Sequence, residues 1–304
     1  MENLIKIISK PDNVAIVIMM VMVVFFTVVA FYLAIRNDWA KLKPTDRQDG
    51  QSVSAEAEVV NPEEKIHVWP YLARKEFLVA IVVIVLLLGW SIVLDAPLEE
   101  EANPALTPNP AKAPWYFVGL QEMLVYFDPW IAGVVLPGLI IVGLMAIPYL
   151  DRNPRGSGYY SFAERKWEII VFCFGFWLWI GLIIIGTFMR GPGWMWFWPW
   201  ETWDPQRMIT AQNVDLSEFF GISSRSLLGS LIGAVAVLGY FALGMILPYR
   251  HWWKTKGEAL ERLGAVRYTI IMLLLLMMVG LPIKMALRLT MNLKYFWVTP
   301  WFNV

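Results

Sequence analysis

The chemistry open to this sequence is concentrated in a few polar residues set among apolar neighbours. Between Pro114 and Pro129 the chain reads Trp115-Tyr-Phe-Val-Gly-Leu-Gln-Glu-Met-Leu-Val-Tyr-Phe127-Asp128, with Gln121, Glu122 and Asp128 as its strongly polar groups. From Tyr116 to Phe127 the residues suit a helix, yet the stretch is too short to cross a membrane and too apolar for an open loop. It reads as a short helix lying at a membrane surface. A carboxyl group such as Glu122 is partly desolvated there. Desolvation disfavours its charged form and suits it to take up and release a proton. A hydrogen-bonded structural carboxylate is the competing reading and fits equally well. The Tyr116 phenol, with an ordinary pKa of about 10, stays protonated near neutral pH and offers a hydrogen bond rather than a base. Asp128, beside Pro129, is a second candidate acid.

Other chemistry is sparse. The sequence holds one cysteine, Cys173, and two histidines, His67 and His251. That excludes an internal disulfide, a cysteine-rich metal or iron–sulfur site, and bis-histidine haem ligation within the spans. Both histidines read as interfacial residues, and Cys173 has no assigned role. Net charge is zero and the pI about 6.8, so no global field favours nucleic acid. There is no P-loop, no G-x-G-x-x-G fingerprint and no fixed-period repeat.

The elements that must position these groups are membrane helices. Hydrophobic residues make up 58% of the chain and charged ones 16%, with a mean hydropathy of +0.54. A soluble fold of this size cannot hide so much apolar surface. Six stretches are long and apolar enough to span: 14–35, 77–94, 130–150, 169–189, 226–249 and 268–289. Pro137 and Pro148 interrupt the third, which membrane helices tolerate. In the last, Lys284 and Arg288 must snorkel toward the headgroups. The fold class is therefore an all-α polytopic membrane protein with a short interfacial helix between the second and third spans.

Segments 36–76, 150–167 and 249–267 carry 16 of the 25 Lys and Arg residues. The positive-inside rule puts them in the cytoplasm, Arg152, Arg155 and Arg165 among them, and both termini outside. Lys6 and Lys10 precede the first span, but it is too long for a signal-peptide core and lacks an A-x-A-like cleavage site. It reads as an N-terminal anchor over 1–36, followed by a polar cytoplasmic linker over 37–64. The outer loop from Arg190 to Trp203 places five tryptophans within ten residues. An interfacial girdle accounts for them, and a ring-stacking surface is the sharper alternative.

Pro114-Trp-Tyr-Phe117, in a loop between two spans, resembles the Pro-Glu-Trp-Tyr signature of the C-terminal half of cytochrome b. In the chloroplast-type complex that half is a separate chain, subunit IV. Glu64-Lys-Ile-His-Val-Trp-Pro-Tyr-Leu-Ala-Arg-Lys-Glu76 is similar to the family segment ending Pro-Tyr-Tyr-Thr-x-Lys-Asp. Asn103-Pro104 and Thr107-Pro108 sit where the family has such pairs. The likeness runs over about 65–190; residues 191–304 add the Trp-rich loop and two further spans.

The resemblance implies a membrane subunit of a quinol:cytochrome c oxidoreductase in a bacterial cell membrane, coupling electron transfer to proton translocation. Its partners would be a chain with the haem-binding N-terminal half of cytochrome b, a Rieske iron–sulfur protein and a cytochrome c-type subunit, in a dimeric complex. Haem b and the iron–sulfur cluster would sit on those partners. Pro114, Trp115, Tyr116, Phe117 and Asp128 would wall an outer quinol pocket, and Lys75 and Glu76 would stand at an inner quinone site. There a Lys/carboxylate pair can bind a carbonyl and supply its proton; a charged membrane anchor is the alternative. The sequence departs from the family at Pro114, which occupies the glutamate position. Glu122, Asp128 or water would then take the proton, with Glu122 and Tyr116 the catalytic candidates. The departure implies a low-potential quinone such as menaquinone. A transporter would require charges at mid-span or paired broken helices, and the span centres carry essentially none. A structural anchor for other redox subunits would differ only in lacking contact with quinone.

Overall fold

A computed structural model describes residues 2–42, 67–95, 101, 103–105, 107, 109–153, 155, 159–207, 213–255 and 257–304. Most of the linker expected over 37–64, parts of the proline-studded outer loop and the start of the 64–76 motif lie outside these residues.

The described residues form helices α1 (Glu2–Ile8), α2 (Pro11–Leu42), α3 (Ala73–Val93), α4 (Trp115–Met123), α5 (Leu136–Leu150), α6 (Lys166–Ile184), α7 (Leu227–Thr255), α8 (Gly257–Leu263) and α9 (Ala265–Met291). Wider turns extend α3 backward over Val68–Leu72, α5 backward over Ile131–Val135 and α6 forward over Ile185–Met189. Six of the resulting helices are long and apolar enough to cross a membrane. This is a multi-pass, all-helical membrane protein, and the six spans stand where hydropathy placed them.

Two boundaries differ. The first span runs on to Leu42, through the residues where the linker was expected to begin. Its end is held rather than solvated. Asp38 accepts hydrogen bonds from the Ser161 hydroxyl and from the amides of Phe162 and Ala163, and Asn37 donates to the Tyr160 carbonyl. Pro137 does not break the third span; it falls where the wider turns of Ile131–Val135 pass into α5, and the helix continues through it.

Packing centres on α6. Ile16 of α2 meets Ile180 and Ile183 of α6. On another side Met123, Tyr126, Ala132, Leu136 and Leu182 form a buried cluster, to which α9 adds Met277, Leu281 and Met285. The close approach of α4 depends on Gly186, where a Cβ would come within 2.4 Å of a Val118 methyl group. α7 packs on α9 across Gly244, and the Tyr240 hydroxyl donates to the Leu276 carbonyl at 2.8 Å. By contrast α3 buries none of its residues. Cys173 lines an open apolar groove with Phe31, Phe162 and Trp177.

The loops sort into two groups by contact. On one side, the 37–38 and 160–163 segments meet, and Arg267 donates to the Tyr149 carbonyl. On the other, Lys10 faces Lys112, Glu122 meets Arg190, and Asp128 meets Asn303 near the C-terminus.

Candidate functional site

α4 is the short helix expected from sequence, starting directly after Pro114. The side chain of Gln121 folds the preceding segment onto it, accepting from the Ala113 amide at 2.9 Å and donating to the Ala111 carbonyl. One face of α4, Val118, Gly119, Glu122 and Met123, is buried. Its leading turn is exposed: Trp115, Tyr116 and Phe117 project as a contiguous aromatic edge, with ring centroids 5.6 and 4.8 Å apart along the run.

Glu122 is on the buried face and is 0% exposed. Its surroundings are not the bare apolar setting expected from sequence. Arg190, at the end of the fourth span, donates Nε to Oε2 at 2.8 Å and Nη2 to Oε1 at 2.6 Å. The Tyr126 hydroxyl donates to Oε1 at 2.8 Å, and Trp194 Nε1 donates to Oε2 at 3.1 Å. A carboxylate with four donors on its two oxygens and no exposed surface is a filled acceptor. Burial, and then the neighbouring Glu122 charge, push the Tyr126 hydroxyl above its ordinary range, so it remains a donor.

Arg190 is the residue that sequence reasoning missed. Burial works against its charge, but the hydrogen bonds and charge of Glu122 outweigh this and hold it firmly protonated. Its third nitrogen, Nη1, donates to the Trp194 carbonyl at 3.2 Å, and its plane faces the Trp196 ring at 5.4 Å. The Trp-rich loop turns back on itself here. Gly193 takes a φ of +65°, which glycine adopts without strain, and the Phe197 amide donates to the Met189 carbonyl. The five tryptophans therefore divide. Trp194 belongs to the buried network, while Trp198 and Trp200 stack at 5.3 Å and stay exposed, as a girdle would. The signal for the pairing was present in sequence: one Glu and one Arg, each alone beside an apolar run, need each other.

The other candidates are spread more widely. Asp128 is half-buried and accepts from the Trp130 amide at 3.0 Å and from Asn303 at 3.2 Å. Lys75 and Glu76 lie exposed in the first turn of α3. His67 and His251 are exposed. Among the described residues no group of three or more His, Cys, Asp or Glu could hold a metal. Lys284 corrects an expectation. It does not snorkel to the surface but is 2% exposed, donating to the Lys294 carbonyl at 2.6 Å and facing the rings of Phe127, Tyr295 and Phe296. Arg288 caps its helix by donating to the Asn292 carbonyl.

The family model described as cytochrome b (C-terminal)/b6/petD matches residues 101–201. The match takes in the Trp-rich loop, which the sequence comparison had left outside, and it omits 64–76. The menaquinol:cytochrome c reductase cytochrome c subunit of Geobacillus thermodenitrificans is 36% identical over 92 residues, covering 29% of this chain and 37% of that one. The subunit of the same name from Bacillus subtilis is 34% identical over 92 residues, 28% of this chain and 35% of its own. Cytochrome b of Allochromatium vinosum is 30% identical over 136 residues, 40% of this chain and 33% of its own. The chain thus spans about a third of the length of each of these relatives. No solved structure matches significantly.

Proposed function

Taking as premise that residues 101–201 are a C-terminal cytochrome b-type segment, we propose that the chain is a membrane subunit of a menaquinol:cytochrome c reductase and walls part of its outer quinol pocket. The observation that carries this reading is the division of labour on α4. The Glu122–Arg190 network clamps one face of the helix to the fourth span and the Trp-rich loop. The clamped helix then presents Trp115, Tyr116 and Phe117 as a rigid aromatic edge at its open end. Rings of this kind stack on a flat quinol head, and the Tyr116 hydroxyl is free to orient one of its oxygens. In this reading Glu122 serves the clamp. The role of base first assigned to it needs an accessible lone pair, which its four donors leave little room for.

Menaquinol is favoured by the printed names of two relatives and by Pro114 at the family's glutamate position. Haem b belongs on partner chains, since the two exposed histidines of this one do not fit an intramembrane haem. A single cysteine likewise allows no C-x-x-C-H attachment of a c-type haem within these residues. The partners are then a haem-binding chain with the N-terminal half of cytochrome b, a Rieske protein and a cytochrome c-type subunit, in a dimeric complex. The face bearing α4 would be periplasmic, with both termini, in a bacterial cell membrane. Lys75 and Glu76, on the opposite face, would stand at the quinone-reducing site, completing proton translocation.

The test is photo-crosslinking of the purified membrane complex with an azido-menaquinone. Label within 111–128, competed by menaquinol, is the expected result. A complex that is reduced by menaquinol yet labels only other chains would make this subunit a structural anchor.

A further inference from the structure

Removing electrons from a quinol requires removing its protons, and on the α4 face the two carboxylates near the aromatic edge are already engaged. Glu122 is filled by Arg190, Tyr126 and Trp194, and Asp128 holds the Trp130 amide and Asn303. Among the described residues, a further basic group stands close in sequence to that edge: Lys112, two residues before Pro114. Gln121 pins its neighbours Ala111 and Ala113 to α4, so the lysine is fixed relative to the Trp115–Phe117 run. Its side chain turns inward. Nζ donates to the Thr187 carbonyl, in the last turn of the fourth span, and lies 4.9 Å from the centre of the Trp203 ring. Thr187 is 2% exposed, and its hydroxyl has no hydrogen-bond partner, so a second polar atom waits at the same spot. The Trp203 indole N–H is likewise buried and unpartnered.

We propose that Lys112 is the proton acceptor of the outer quinol pocket. This rests on the reading of α4 as a quinol-facing wall. In the step it performs, the quinol O–H bond breaks and its proton passes to the neutral Lys112 amine, leaving an ammonium ion and a quinol anion. The electrons then leave to the one-electron acceptors on partner chains. The groups facing Lys112 suit this duty. Burial first, and then the ammonium of Lys10 on the α1–α2 side, lower its pKa to about 8, while the Glu122 carboxylate, itself neutralised by Arg190, pulls the other way. A base that titrates near the working pH combines availability with driving force. Lys10 is exposed at the same face, so repulsion between the two cations helps expel the proton toward water.

The experiment compares wild type, Lys112→Met and Lys112→Arg in the intact membrane complex, measuring menaquinol-dependent reduction against pH with haem content as the assembly control. The wild-type rate should rise with pH, because the neutral amine accumulates as pH approaches 8, and level off above it. Both variants should lose about 10²-fold and lose that limb. Arginine keeps the charge and the donor to Thr187, so a purely structural or electrostatic role predicts that Lys112→Arg keeps the rate. That result overturns the proposal. If the methionine variant fails to assemble, the wild-type profile still decides, since a rate with no ionisation near pH 8 also overturns it. A wild-type complex that takes no electrons from menaquinol removes the functional reading itself. One that does, with variants unchanged, removes only Lys112.

Discussion

Two buried cations on the same face of this protein are accommodated in opposite ways. Arg190 is 5% exposed and Lys284 is 2% exposed, yet Arg190 meets a carboxylate and Lys284 meets a backbone carbonyl and three aromatic rings. The guanidinium is a planar fork that grips both Glu122 oxygens at once, and this fixes direction as well as distance. It ties together residues 68 positions apart, α4 and the end of the fourth span. The ammonium is a point charge, indifferent to orientation. It ties the end of α9 to a tail only ten residues further on. The fork stands inside the segment that the cytochrome b C-terminal family model matches, the point charge outside it. Where an element must be aimed, the structure uses a directional pair; where a tail need only be covered, it uses a cage.

Breaking the fork should produce the largest effect. Arg190→Met leaves a buried carboxylate with no countercharge, a loss of about 3–5 kcal/mol. It should appear as a lowered thermal midpoint of the purified complex and poor assembly. Combining it with Glu122→Leu removes both charges and should recover most of the stability, because two apolar side chains of similar volume fill the site without desolvated ions. Turnover per assembled complex in that double variant separates clamp from base. The rate should fall only modestly, since apolar packing still seats α4 without aiming it; a loss of ~10²-fold would make Glu122 the proton acceptor after all.

A smaller effect tests whether the rest of the network matters. Tyr126→Phe deletes one donor to a charged acceptor and keeps the ring in its core cluster, so roughly 1.5–3 kcal/mol is expected. Midpoints for Tyr126→Phe alone and on the Arg190→Met, Glu122→Leu background measure the coupling. With no carboxylate to donate to, the hydroxyl should then be worth far less.

The same contrast shows what the sequence could carry. The six spans and the short helix between the second and third were legible, because each follows from local composition: apolar length, and a short apolar run bounded by prolines. The Glu122–Arg190 pair left only a faint trace, one lone acid and one lone base each beside an apolar run, since a contact across 68 residues has no periodic signature. Nothing in the sequence singles out Lys112; the fold of 111–114 onto α4 turns its side chain inward. Lys284 was misjudged for a related reason. Snorkelling assumes water or headgroups above a helix end, whereas here Leu293 to Val304 returns to cover it, bonded through Val214 and Leu216 to the strip before α7.

That covering sets the smallest expected effect. Lys284→Met keeps the unbranched stem and removes an ammonium that no carboxylate bonds directly; the Asp215 charge reaches it only through space. The desolvation cost of the cation disappears along with its one hydrogen bond and its contacts with Phe127, Tyr295 and Phe296. These terms are of similar size, and replacing a buried charge by a well-packed apolar side chain is often neutral or stabilising. The tail keeps its backbone pairing with 214–216 in either case. The midpoint of the complex should therefore stay within about 1 kcal/mol of wild type, in either direction. A loss comparable to that of Arg190→Met would show that Lys284 aims the tail as Arg190 aims α4, and the distinction between fork and cage would fall.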